Sequence, residues 1–353
     1  MKKAQACGIL ALLLISLIGT VSRGHASTAT RAHVHKTLSV LLYVDGALGD
    51  LGFFDSANSG IQRAGRQLGV STKVIQNNDS TQWQSQLLAL AASHRYDVMV
   101  LDATDPTMGP AVGVLIKQYP HQRIIDFDDN QYAKDANVSS IVYKQNEGSF
   151  LAGALAAMVV DSRLKYDSGK KAIGMVGGMA IPVIKDFQVG YIAGAHAVDS
   201  SISVRSTYIG GSGGNDTWAN KPAGARLARS FYNQGAAVVY AVAGGSGLGV
   251  LQQSTSSGRY AIGVDSNQDN YAPGHVIGSV VKRVDNSVFD LINLALKGKL
   301  QGGRIYYYGL QNNGVALTRD AETRSIISAS MYAKLDVLAA KVANGQIKVP
   351  TAL

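Results

Sequence analysis

Acidic and glycine-rich turns follow almost every short apolar run in this sequence, and their side chains and backbone could bind a ligand. In the first half these runs end in Asp45-Gly46, in Asp102 and in Asp126-Phe127-Asp128. In the second half they end in Gly-Gly turns at 177–178, 210–211 and 244–245 and in Asp265-Ser266-Asn267. Carboxylates accept hydrogen bonds from hydroxyl and ring N–H groups, and glycines let backbone N–H groups approach a ligand. Because Gly and Asp are also ordinary turn and helix-cap residues, a site is indicated only where several turns converge.

Three patterns could indicate catalysis or metal binding, and none is supported by further residues. Gly210–Gly214 contains the Gly-x-Ser-x-Gly pattern of some hydrolases, but four glycines with no helix directly after them are more simply a flexible loop. His33-x-His35 has the spacing of a metal chelate but lies in the expected disordered start of the mature chain. Asp128-Asp129 could do acid–base work, yet nothing separates that role from solvation. We therefore predict no enzyme, no metal site and no cofactor.

Alternating strands and helices position the turns. Continuous apolar runs of strand length, such as 37–43, 97–101 and 172–177, are typical of strands buried on both faces of a parallel sheet. Helical stretches separate them, and the rhythm occurs twice, before and after the polar turn 165–171. In such sheets ligands bind beyond the carboxyl ends of the strands, where the turns lie. The sequence therefore predicts an α/β protein with two doubly wound lobes that exchange segments near the end of the chain.

Composition indicates a large globular protein, and the first residues indicate export. A length of 353 residues suits two domains, and 46% hydrophobic with 16% charged residues excludes a disordered chain. Residues 1–26 have the layout of a cleaved signal peptide, with a basic start, an apolar run at 8–21 and small residues after it. Cleavage would remove three basic residues and the single Cys, Cys7, so the net charge would fall from +9 to +6. This basic surplus is dispersed, which argues against nucleic acid as a partner.

Seven segments carry a resemblance to a known family. They are Asp45–Asp55 (DGALGDLGFFD), Glu147–Gly153, Ile173–Met179 with Ile181-Pro182, Lys185 and Phe187, Tyr232–Gly235, Ala243–Gly249, Ile262–Gln268 and Val281–Asp285. In this order they resemble the motifs of the basic membrane protein family, the solute-binding proteins of ABC importers that include purine-nucleoside receptors. The resemblance covers essentially the whole mature chain. The family's usual lipid-attachment Cys is missing, because Cys7 precedes the apolar run.

The resemblance implies a type I periplasmic-binding-protein fold. Two Rossmann-like lobes with parallel sheets, joined by a multi-crossover hinge, would close on a ligand between them. We expect residues 37–145 and about 275–300 in lobe 1, 146–270 and about 301–330 in lobe 2, and a C-terminal helix and tail at 331–353. The resemblance implies a binding protein without enzymatic activity, which is a monomer and is free in the periplasm or outside the cell. It would deliver a small nucleoside-like molecule to an ABC permease at the inner membrane.

The resemblance also implies the residues of the ligand site. Two aromatic rings, one from each lobe, would hold the base between them, and they fall on Phe53 and on Trp218. Trp218 is assigned because it is the only large aromatic residue in the loop after the strand that ends near Tyr208. Further contacts are carried over to Asp45 and Asp126 or Asp128 near the base, and to Gly245, Asp265 and Lys282 near the ribose.

Two departures from the family pattern leave the ligand class open. Phe54 stands where the family has a ribose-binding Asn, and Asp55 is the candidate to replace that contact. The loop at 210–220 is longer and richer in glycine than the family's loop. The ligand is therefore a purine nucleoside or another aromatic heterocycle, such as a flavin-like vitamin or a free base. A ligand-sensing receptor and a nucleoside-processing enzyme are the alternative functions.

Overall fold

The structure is a computed structural model that describes residues 37–210 and 214–353. The predicted signal peptide, the His33-x-His35 pair and Ser212 of the glycine-rich loop lie outside the described residues. Within these two ranges, no helix is both long enough and apolar enough to cross a membrane.

Strands and helices alternate along the chain, as the apolar runs predicted. The strands are β1 (Ser39–Val44), β2 (Ser71–Gln76), β3 (Val98–Leu101), β4 (Arg123–Phe127), β5 (Val138–Tyr143), β6 (Ala172–Gly177), β7 (Ser203–Tyr208), β8 (Val238–Val242), β9 (Tyr260–Asp265), β10 (Val276–Lys282), β11 (Arg304–Tyr308) and β12 (Val315–Leu317). The helices are α1 (Phe53–Leu68), α2 (Trp83–Ala92), α3 (Met108–Gln118), α4 (Gln145–Asp161), α5 (Pro182–Val198), α6 (Gly214–Trp218), α7 (Lys221–Asn233), α8 (Gly244–Ser257), α9 (Val284–Leu296), α10 (Ala321–Arg324) and α11 (Ala329–Ala343). The short helix α6 follows the glycine-rich loop, where no helix was expected.

The strands form two six-stranded sheets with equivalent strand orders. The first sheet runs β11-β5-β4-β3-β1-β2 and the second β12-β10-β9-β8-β6-β7. The strand pairs are parallel except for the antiparallel pair of β10 and β12. In each sheet the second strand lies on one side of the first strand and the third strand on the other side. This change of direction creates a topological switch point beyond the carboxyl ends of β1 and β3 in the first sheet, and of β6 and β8 in the second. The predicted α/β class with two parallel sheets is confirmed.

The chain passes between the lobes at three crossovers, which follow β5, β10 and β11. The prediction that residues 275–300 belong to lobe 1 is wrong for β10, which pairs with β9 and β12 in the second sheet. The prediction that 301–330 belong to lobe 2 is wrong for β11, which pairs with β5 in the first sheet. Helix α9 does pack in the core of lobe 1. An apolar run indicates a strand but not its pairing partner, and only pairing decides which sheet a late strand joins.

Lobe 2 depends on a very close approach of α4 and α5. A Cβ atom added at Gly153 would overlap the carbonyl oxygen of Tyr191, and one added at Gly194 would overlap that of Phe150. Each helix therefore presents a glycine to the backbone of the other. Because the first turn of α5 also forms one wall of the cleft described below, this packing determines where that wall lies.

We expect Gly194→Ala to lower the free energy of unfolding by roughly 2 kcal/mol, because the two helix backbones must separate to admit the methyl group. Gly65→Ala in α1 is the matched control. Its nearest neighbour would be the Thr72 hydroxyl at 3.2 Å, which can rotate away, and alanine is the better helix former. Urea unfolding compares both with the wild type. A Gly194→Ala protein as stable as the wild type would contradict the packing argument.

Candidate ligand-binding cleft

A cavity of about 190 Å³ lies between the lobes, beyond the carboxyl ends of both sheets. From lobe 1 it is lined by the turn at 45–50 after β1, by Phe53 and Phe54 of α1, and by the turns after β3 and β4. From lobe 2 it is lined by the first turn of α5, by Trp218 and Lys221, and by the ends of β8, β9 and β10. The strand exits after β1, β3, β4, β8 and β9, which the sequence singled out, therefore converge here.

Eight of the ten residues predicted for the site line this cavity. They are Asp45, Phe53, Phe54, Asp128, Trp218, Gly245, Asp265 and Lys282. The other two lie outside it. Asp55 accepts hydrogen bonds from the backbone N–H groups of Gly49 and Leu51, both at 2.9 Å, so it shapes the turn after β1. Asp126 is fully buried in β4 and accepts a bond from the N–H of Ala103 at 3.1 Å.

The two rings predicted to stack on a base come from opposite lobes. The Phe53 ring packs against the Phe54 ring at 5.3 Å and the Phe127 ring at 5.2 Å between centroids. The Trp218 ring lies so close to Gly178 that a Cβ there would overlap it. Its indole N–H donates to Asp105 Oδ2 of lobe 1 at 3.4 Å. The glycine directly after β6 thus makes room for the indole, which also connects the lobes.

Lys282 is a buried cation at the end of β10. Its ammonium group donates to Asp128 Oδ2 at 2.6 Å and lies 4.0 Å from Asp265 Oδ1. The same ammonium lies 5.0 Å from the ring centroids of Phe53 and Phe187. Lys282 therefore joins a strand of lobe 2 to a carboxylate of lobe 1 inside the cleft.

Three residues that line the cavity, Asp50, Asp105 and Phe187, were not among the residues predicted for the site, and Asp102 was named only as a strand exit. The rule that ligands bind at strand exits had already selected Asp102, and it could have selected Asp50, which lies in the same turn as Asp45. Phe187 lies one helical turn into α5, and nothing in its spacing separates it from a core residue.

Carboxylates outnumber cations in the cavity. Six aspartates line it (Asp45, Asp50, Asp102, Asp105, Asp128 and Asp265), against Lys221 and Lys282. Burial raises the pKa of Asp45 to about 7. It also raises the pKa of Asp265 to about 7, although Lys282 opposes the shift. A carboxyl group that titrates near neutral pH can donate as well as accept hydrogen bonds.

Several carboxylate oxygens in the cleft remain for a ligand to satisfy. Asp45 Oδ1, Asp128 Oδ1 and Asp265 Oδ1 are buried and have no hydrogen-bond partner among the described residues. Buried polar atoms are normally hydrogen-bonded, so their arrangement suits a ligand rich in hydroxyl and N–H groups. The part of the chain that the structure describes has no cluster of three or more side chains suited to a metal ion.

The chain is similar in sequence and fold to solute-binding proteins of ABC transporters. Residues 37–352 match the Bmp family model, described as ABC transporter substrate-binding protein PnrA-like. The nucleoside-binding protein BmpA of an ABC transporter from Lactococcus lactis is 27% identical over 99% of both chains. An uncharacterized lipoprotein of Pyrococcus abyssi is 31% identical, covering 89% of this chain and 76% of that protein. An ABC transporter solute-binding protein from Aeropyrum pernix, solved as a crystal structure, superposes with a TM-score of 0.79 at 26% identity, covering 89% of this chain and 94% of its own.

Asp45 should make the stability of the ligand-free protein depend on pH. Because burial raises its pKa from 3.8 to about 7, the folded chain binds more protons than the unfolded chain between these values. The free energy of unfolding should therefore fall as pH rises from about 4 to 7. Asp45→Asn has no carboxyl proton to lose. Its free energy of unfolding should therefore fall with pH less steeply than that of the wild type, and the two slopes should differ by up to about 1.4 kcal/mol per pH unit.

Urea unfolding at pH 4 to 8 measures this difference. Asp79→Asn is the control, because Asp79 is exposed and its hydrogen bonds with Thr81 lower its pKa. Its replacement should not flatten the decline between pH 4 and pH 7. If the curves of Asp45→Asn and the wild type run parallel, the buried acid does not cause the pH dependence.

Proposed function

The chain belongs to the Bmp family of ABC transporter substrate-binding proteins, as the motifs indicated, and from this premise we propose that its cleft binds a purine nucleoside or a similar aromatic heterocycle. The family's role is solute binding with delivery to a membrane permease. The ligand class is our inference, and the relative from Lactococcus lactis named as nucleoside-binding supports it.

One observation carries the proposal. Phe53 of lobe 1 and Trp218 of lobe 2 line the same cavity, together with carboxylate oxygens that have no partner in the described ranges. Aromatic rings bind the flat faces of a base, and the carboxylates bind its N–H edge and the sugar hydroxyls. We place the base between the two rings near Asp45 and Asp128, and the sugar near Gly245, Asp265 and Lys282.

The charge of the cavity favours a ligand without a phosphate group. The six aspartates described above face only two lysines, and Lys282 is already bonded to Asp128. A nucleoside monophosphate would add a dianion beside these carboxylates, whereas a nucleoside adds only donors and acceptors. We therefore propose that the protein binds nucleosides and discriminates against nucleotides.

We propose that the protein works outside the cytoplasm, as a free periplasmic or extracellular monomer that delivers its ligand to an ABC permease. The name of the Pyrococcus abyssi relative, a lipoprotein, describes a tethered protein instead. Cell fractionation with intact-mass analysis distinguishes a free chain from a lipidated one. Incubation with inosine tests the alternative of a nucleoside-processing enzyme, which would release free base.

We expect Phe53→Ala and Trp218→Ala each to weaken ligand binding by roughly 5- to 150-fold, because stacking on one aromatic side chain contributes about 1–3 kcal/mol per base. Calorimetric titration with inosine, adenosine, guanosine, their free bases and riboflavin measures this. Trp83→Phe is the control, since the Trp83 ring is buried outside the cavity and its indole N–H donates a hydrogen bond to the backbone carbonyl of Asn77. Absence of binding by the wild type to every compound would refute the ligand class.

Phe54 should determine how strongly the sugar of a nucleoside contributes to the binding affinity. Its ring lies against Gly46, where a Cβ would be 3.2 Å from it, and presents an apolar wall to the cavity. We expect Phe54→Asn to bind inosine about 3- to 10-fold more tightly and hypoxanthine no more tightly, because the amide adds one hydrogen bond to a hydroxyl. Phe54→Leu is the matched apolar control. An equal gain for both ligands would show that Phe54 does not contact the sugar.

A further inference from the structure

The turn after β1 presents two backbone carbonyl groups to lobe 2. Three of its N–H groups are bound by carboxylates, those of Gly49 and Leu51 by Asp55 of α1 and that of Gly52 by Asp50 Oδ1 at 3.0 Å. Leu51 adopts a left-handed backbone conformation, with φ of 49°. The two aspartates thus hold the turn in a shape that leaves the carbonyl oxygen of Leu51 available at the surface of lobe 1. The carbonyl oxygen of Gly52 accepts the Ser56 N–H of α1 at 2.9 Å, and its second lone pair can accept another donor.

Gln268 is held within lobe 2 in position to reach one of these carbonyls. Its side-chain oxygen accepts a hydrogen bond from the backbone N–H of Val264 at 3.0 Å. The backbone N–H of Gln268 donates to Ser279 Oγ at 3.0 Å. The side chain is buried against Gly263, where a Cβ would lie 2.8 Å from its oxygen. Because the amide oxygen is bound inside the lobe, the amide nitrogen is turned outward.

Two hydrogen bonds then cross from lobe 2 to lobe 1. Gln268 Nε2 donates to the carbonyl oxygen of Leu51 at 3.0 Å, and Ser266 Oγ donates to that of Gly52 at 3.1 Å. Neither donor lines the ligand cavity. We propose that Gln268 and Ser266 form a closure latch, a pair of positioning residues that sets ligand affinity and residence time without touching the ligand.

The latch acts through the population of the closed state. A ligand held between two lobes is released only when they separate, so bonds that exist only in the closed form lower the dissociation rate. Gln268 is already oriented by its own lobe, so its crossing bond is formed with little further ordering of the side chain. The association rate should change little, because the ligand enters the open form.

Gln268→Glu tests the latch with a side chain of nearly the same shape. The carboxylate still accepts from Val264 N–H but turns an acceptor toward the Leu51 carbonyl, so dissociation of inosine should become about tenfold faster. Asn270→Asp is the control, because it makes the same chemical change at an exposed site two residues away. Ser266→Ala should accelerate dissociation about threefold. Stopped-flow Trp fluorescence measures the rates.

A second measurement needs no ligand. A Cβ placed at Gly245 lies 3.8 Å from Asp50 Cβ across the cleft, which is disulfide spacing, so Asp50→Cys with Gly245→Cys traps closure. A chain expressed from residue 27 has no other cysteine, and Asp55 still binds the Gly49 and Leu51 N–H groups. Under oxidant, Gln268→Glu in this background should cross-link several-fold more slowly, and Asn270→Asp at the unchanged rate.

The latch rests on the proposed solute binding, and the two measurements separate their failures. If the wild type binds none of the nucleosides, free bases and riboflavin named above but Gln268→Glu slows cross-linking, the latch stands and the ligand class is wrong. If inosine dissociates and cross-linking proceeds at wild-type rates in Gln268→Glu, the latch is refuted. If circular dichroism shows that Gln268→Glu does not fold, Ser266→Ala decides in both measurements, and wild-type rates then refute the latch.

Discussion

The buried ion pair between Lys282 and Asp128 is the interaction on which the cleft depends. Both side chains are almost completely buried, and removal of either partner would leave a charge in a site with little access to water. Lys282 ends a strand of the second sheet and Asp128 follows a strand of the first, so the pair can form only when the lobes are correctly placed. Because Lys282 is also the last residue before the crossover into α9, the ion pair links the geometry of the hinge to that of the ligand site.

The surplus of carboxylates around this pair determines what kind of ligand the cleft can accept. One ammonium group cannot neutralise Asp128, Asp265 and the acids of the other strand exits, so burial raises the pKa of the remaining groups instead. Asp265 also has a left-handed backbone, with φ of 65°, which aspartate tolerates better than most residues. Burial of charge and an unusual backbone conformation thus coincide at one residue, as is common where a protein binds a ligand.

Much of this architecture could be predicted from the sequence, for identifiable reasons. Strands buried on both faces leave uninterrupted apolar runs, and their exits carry acids and glycines, so the fold class and the acidic part of the cleft could be read directly. Phe53, Trp218 and Lys282 were instead implied by the family resemblance. The sheet of β11 could not be predicted, because β11 is an edge strand and pairs with β5, which is distant in sequence. The sheet of β10 follows from its neighbour instead, since β10 pairs in parallel with β9, the strand directly before it. Which of Asp126 and Asp128 lines the cavity could not be predicted either. Asp128 has a left-handed backbone, with φ of 79°, and no glycine in the sequence marks that conformation.

Asp55 shows that an acid in a family motif can shape a turn without lining the cavity. Its carboxylate is used by two N–H groups of the turn after β1, and Asp50 binds further N–H groups of the same segment. That turn serves two surfaces at once, because Asp45 and Phe53 line the cavity at its ends while the carbonyl oxygens of Leu51 and Gly52 meet lobe 2. The shape of one short segment therefore sets both ligand contact and lobe contact. A change in Asp55 must alter both together, whereas a change in Gln268 alters only the second.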